Sequence, residues 1–141
     1  MKARLVQFVV AVLVVALSGV ARGAGPDFDR IVAPLLSERC LACHGGNKPK
    51  GGLDLSRRRS AMEGGDQGAA IVPGKPDASV LWEYVNGGKM PPKKPLSAAE
   101  KEVLRAWIVA GAGWGSDPID PFRASTEKRA GYDWWALQPV V

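Results

Sequence analysis

The chain has 141 residues, 19 Lys and Arg against 14 Asp and Glu, and a formal net charge of +5. Lys2, Arg4 and Arg22 sit in the first 24 residues; the remainder carries sixteen basic and fourteen acidic side chains, a net of +2, so the basic balance is no sign of nucleic-acid binding. Two Cys and one His are too few for a structural zinc site, which takes four such ligands, and 17 Gly with 11 Pro imply one small domain of short elements and many turns.

Lys2 and Arg4 precede an apolar run from Leu5 to Leu17 broken only by Gln7. Small residues follow at Ser18, Gly19, Ala21, Gly23 and Ala24. This is the layout of a secretory signal peptide over residues 1–24, with cleavage after Ala21, Gly23 or Ala24. The run falls short of the about 20 residues that cross a bilayer. No stable membrane span is therefore expected after cleavage, and the mature chain is expected to be exported, periplasmic or otherwise extracytoplasmic.

From Asp27, a plausible N-cap, the pattern is helical: Phe28, Ile31, Val32, Leu35 and Leu36 share one face, with Pro34 interrupting. The helix delivers Cys40-Leu41-Ala42-Cys43-His44 at its end and is stopped by Gly45-Gly46. Cys-x-x-Cys-His is the attachment signature of a c-type haem. Two thiols one helical turn apart can each add to a vinyl group of the same porphyrin, and the following imidazole serves as an axial ligand. Placed at random, two Cys and one His would fall into this run in roughly one of ten thousand arrangements. A thioredoxin-like reading of the Cys pair needs an α/β pattern around it, and none is visible. The expectation is one covalent haem c on Cys40, Cys43 and His44.

Residues 45–55 read as loop, Ser56 to Glu63 as a short helix closed by Gly64-Gly65, and residues 64–78 as turns. Ser79 to Val85 forms another short helix, apolar at Val80, Leu81, Tyr84 and Val85 and ended by Gly87-Gly88. Ser97-Ala98-Ala99-Glu100 is a capping box opening the last helix, whose apolar face comprises Val103, Leu104, Trp107 and Ile108. Asp117 to Pro121 reads as a linker, and the aromatic, apolar end from Tyr132 to Val141 has nothing after it to pack against.

A haem in an electron carrier usually has two protein ligands, and His44 is the only histidine. Of the three methionines, Met1 belongs to the leader and Met62 reads as a core filler. Met90 lies in Gly87-Gly88-Lys89-Met90-Pro91-Pro92, where glycines allow close approach and prolines restrict the loop. It is expected to be the second axial ligand of the iron. Trp107 reads as core, haem contact or both, and Trp82 and Tyr84 as packing or propionate donors. Lys89, Lys93 and Lys94 read as a docking surface or a solvated rim, and Arg57 to Arg59 as a solvated helix face.

The ordered segments resemble the planctomycete-type cytochrome c domain over roughly residues 28–115. The likeness rests on Ile31 to Leu36 before Cys40-Leu41-Ala42-Cys43-His44-Gly45, then Lys50-Gly51-Gly52-Leu53-Asp54-Leu55, Gly64-Gly65 and Ile71-Val72-Pro73-Gly74-Lys75-Pro76. It continues through Ser79-Val80-Leu81, Met90-Pro91-Pro92, Pro95-Leu96-Ser97 and Leu104-Arg105-Ala106-Trp107-Ile108 with Gly111-Ala112. The resemblance implies an all-α, cytochrome c-like fold of three to five short helices with long loops around one haem. The domain would span residues 25–116, with residues 117–141 a linker and the start of a following region that looks truncated. It also implies an electron carrier rather than an enzyme, holding its haem through Cys40, Cys43, His44 and Met90. The partner would be a redox protein or a fused catalytic domain; the alternative is the electron-entry module of a larger exported enzyme whose catalytic part is missing from this chain.

Overall fold

A computed structural model describes residues 25–121 and residue 124. The expectations for the signal peptide and for the aromatic end lie outside the described residues. Among these, the fold is all-α: four short helices, a π-helical turn and two single 3₁₀ turns, with no strand beyond an isolated bridge between Gly65 and Gly68.

Asp27 is the N-cap, its carboxylate accepting from the Arg30 amide at 2.8 Å. The first turn, Phe28–Val32, is π-helical, and α1, Ala33–Arg39, continues from it. Pro34 explains the change of gauge. It lacks the N–H that would close an α-turn, and its ring crowds the carbonyl of the turn before it, so that turn widens; the proline itself sits harmlessly in the first turn of α1. α1 also ends earlier than the sequence suggests. Cys40 is its C-cap, and Cys40 to His44 form one separate turn closed by bonds from the Cys43 and His44 amides to the Cys40 carbonyl, at 3.1 and 2.9 Å.

α2 spans Arg58–Glu63 rather than starting at Ser56, because the Asp54 carboxylate takes both the Ser56 amide (2.8 Å) and its hydroxyl (2.6 Å) into a tight turn. α3 is Val80–Asn86. Ser79, just before it, is the only buried polar residue among those described; its hydroxyl accepts from the Val72 amide (2.9 Å) and donates to the Lys75 carbonyl (2.8 Å), so that hydroxyl is fully satisfied. α4, Ala98–Val109, has the full capping box: the Ser97 amide donates to Glu100 Oε2 at 2.7 Å, and the Glu100 amide to Ser97 Oγ at 3.2 Å. Its buried face is Leu104, Trp107 and Ile108, with Val103 half-buried.

α4 packs on the π-helical turn through three aromatic rings. Phe28, Trp107 and Trp114 stand with centroids 4.3 to 5.8 Å apart in tilted arrangements. Trp107 is 1% exposed and its indole N–H donates to the Gly113 carbonyl at 2.7 Å. The stretch after Ser116, read from the sequence as a linker, lies against this body: Asp117 accepts from the first amide of α2, the Ile119 amide donates to the Ser56 carbonyl at 2.7 Å, and Ile119 and Ala124 are buried.

Candidate functional site

One cavity of about 270 Å³ gathers the chemistry-bearing residues. Cys40, Cys43, His44 and Met90 all line it. Its apolar wall is Leu53, Leu55, Ala70, Leu81 and Val85. Met62 is half-buried in the core and not among the lining residues, and neither are Trp107 or Trp82; Tyr84 is. Lys89, Lys93 and Lys94 are exposed, Lys89 pairing with Glu83 at 3.5 Å and lying over the Tyr84 ring. Arg57 to Arg59 are solvent-facing, as their sequence suggests.

The two thiols are unbridged, Cys40 buried and Cys43 exposed. Burial pushes the Cys40 thiol up to about 11, against an opposing pull from the neighbouring Arg39 charge. The position therefore suits an uncharged sulfur, and a thioether, which has no proton to lose, meets that demand at every pH.

His44 is oriented by backbone. Its Nδ1 lies 3.1 Å from the Lys50 carbonyl oxygen, which can only accept, so the proton resides on Nδ1 and Nε2 is left with a lone pair. The Lys50 amide in turn donates to the Cys43 carbonyl (2.9 Å), and the Leu55 amide to the His44 carbonyl (2.8 Å). The loop can double back this closely because Gly51 and Gly52 take φ of +63° and +66°. Gly65 lies against it, where a side chain would strike the Gly51 carbonyl. Lys50 was not legible as a site residue: its contribution is a carbonyl, and the only trace in the sequence is the Gly-Gly pair after it.

Met90 is held by the end of α3. Its amide and that of Lys89 both donate to the Tyr84 carbonyl, at 3.1 and 2.9 Å. Pro91 and Pro92 follow it along the cavity wall. Arg39 also lines the cavity, and sequence reasoning missed it, because an Arg in the last turn of a helix ordinarily reads as a solvated residue.

The donor set fits a covalently attached haem: two free thiols at thioether spacing, one imidazole with a free Nε2, one thioether side chain, and apolar walls. No group of three or more His, Cys, Asp or Glu side chains that could hold a bare metal ion occurs among the described residues. No helix among them is long and apolar enough to cross a membrane.

Residues 40–94 match the family model for Planctomycete cytochrome C. No curated protein and no solved structure matches the chain. The matched segment opens on Cys40 and closes at Lys94, shortly after Met90, so it takes in all four candidate haem residues. The stretch from Cys40 to Lys94 is a planctomycete cytochrome C domain, which implies a covalently attached haem and an electron-carrying role.

Proposed function

We propose that the chain is a one-electron carrier whose haem is attached through Cys40 and Cys43 and ligated axially by His44 and Met90. The observation that carries this reading is the convergence of those four side chains, from two separate loops, on one cavity. The haem, when bound, supplies the Fe(III)/Fe(II) couple. The chain's residues do the rest. The Lys50 carbonyl holds the imidazole in one tautomer and raises its basicity. Leu53, Leu55, Leu81 and Val85 give the cavity an apolar wall against which a porphyrin face would pack. Met90, which lines the same cavity, would hold the iron together with His44 and leave no place on it for a substrate, which favours transfer over catalysis or sensing. The leader pattern of residues 1–24 supports an extracytoplasmic setting, where a redox protein or a fused domain would exchange the electron.

The test is Met90→Ala in the haem-loaded protein. Haem should stay attached, because both thioethers and His44 remain. The sulfur-to-iron charge-transfer band should vanish, carbon monoxide should bind the ferrous form readily, and the potential should fall. A parent protein that already binds carbon monoxide rapidly would refute the two-ligand reading.

A further inference from the structure

We propose that Arg39 is a positioning residue for the Met90 loop, a cationic tie that fixes the loop's far end to the body of the protein. This rests on the reading of Met90 as an iron ligand.

The loop from Met90 to Leu96 is held at its near end by the Tyr84 carbonyl. Beyond that, among the described residues, the backbone from Pro91 to Leu96 makes only two hydrogen bonds, and both come from Arg39. Arg39 Nη2 donates to the Lys94 carbonyl at 2.9 Å and to the Pro95 carbonyl at 3.2 Å. Pro91, Pro92 and Pro95 have no N–H to contribute, which leaves the loop few donors with which to tie itself down.

The guanidinium is itself fixed. Its side chain is 10% exposed, and Nε stands 3.4 Å from Glu100 Oε1. That contact is an ion pair without hydrogen-bond alignment, and Nε has no other partner. Glu100 spends its second oxygen on the Ser97 amide, in the capping box of α4. One side chain thus joins three parts: the end of α1, the Met90 loop and the start of α4. Arg39 is also the residue before Cys40. A single stretch of backbone therefore sets both the first thioether anchor and the strap on the loop that carries the second axial ligand. An Arg suits this task, because its fork can engage two carbonyls and a carboxylate at once.

The experiment uses the full haem-loaded chain and reads the sulfur-to-iron band together with the rate of carbon monoxide binding. Arg39→Leu is expected to keep covalent haem, weaken the band and speed carbon monoxide binding by roughly tenfold, the loosening expected from losing a charge-assisted hydrogen bond. Arg39→Lys should recover part of that loss. Glu100→Gln, which keeps an acceptor for the Ser97 amide but drops the charge facing Arg39, should show a smaller change in the same direction. The double variant Arg39→Leu/Met90→Ala should match Met90→Ala alone, because a positioning residue has nothing left to position.

An unchanged band and rate in Arg39→Leu overturn the proposal. So does a double variant clearly faster than Met90→Ala, which would mean that Arg39 acts on the haem itself, for example as a propionate partner. If Arg39→Leu does not load haem, unchanged kinetics in Glu100→Gln overturn it. Failure of the Met90 assignment shows separately, as a band that survives Met90→Ala.

Discussion

Gly65→Ala probes whether the Lys50 loop controls the imidazole. A Cβ at residue 65 would overlap the Gly51 carbonyl oxygen and come within 2.9 Å of the Leu53 amide nitrogen. Both neighbours are backbone, so neither can rotate away. The 50–53 loop must shift by about 1 Å, and overpacking of this kind costs about 1–3 kcal/mol. For a domain of this size each kcal/mol lowers Tm by roughly 4–8 °C. The same shift stretches the contact between the Lys50 carbonyl and His44 Nδ1, now 3.1 Å, past the useful range of a hydrogen bond. An imidazole without that acceptor is a weaker donor to iron, so the reduction potential should rise. Gly74→Ala is the control. Gly74 also has a positive φ, +78°, but a Cβ there meets nothing within 4 Å. It should cost about 1 kcal/mol of backbone strain and leave the potential alone. Thermal melting and spectroelectrochemical titration of the haem-loaded proteins decide the matter. A Gly65→Ala protein with parental Tm and potential refutes the account of the loop.

Haem should resist acid–acetone extraction from protein matured in a cell able to attach c-type haem, and Cys40→Ala with Cys43→Ala should release it; extractable haem in the parent would contradict thioether linkage. The mature N-terminus should fall between residues 22 and 25 in an extracytoplasmic fraction, which N-terminal sequencing checks; a soluble cytoplasmic protein retaining Met1 would contradict export. The Glu100 carboxyl is held below its ordinary range first by its hydrogen bond with Ser97, then by the charges of Arg39 and Lys94. A depressed folded pKa means stability that is present above the unfolded value, about 4.3, and lost as pH falls through the folded one. Acid melting curves should therefore show a falling limb that Glu100→Gln flattens, and identical limbs would remove Glu100 from the account.

How much could be read in advance depended on how local the cause was. α4 was legible because its cap lies within four residues and its face repeats at helical spacing. Cys40, Cys43 and His44 could be singled out by the spacing that thioether attachment needs, and Met90 from Met62 by its flanking Gly and Pro. The structure brings the four to one cavity. What escaped is non-local. The widened turn before Pro34 and the early end of α1 depend on how backbone bonds redistribute along the helix. The Lys50 carbonyl and Arg39 matter only because remote segments approach them. Ile119 and Ala124 anchor a Pro-rich stretch singly, with no period to betray them.

Among the described residues, those lining the cavity run from Arg39 to Pro92, and the Phe28–Trp107–Trp114 cluster and α4 are not part of its wall. The molecule is in effect a buttress and a cradle. Changes in the buttress should alter chiefly how long the protein lasts, while changes in the cradle should reach the potential of the proposed haem as well. Selection can then retune the redox properties of such a domain without rebuilding its frame, and can harden the frame for a harsher environment without moving the potential. Arg39, which lines the cradle and pairs with the buttress at Glu100, is a place where that independence ends.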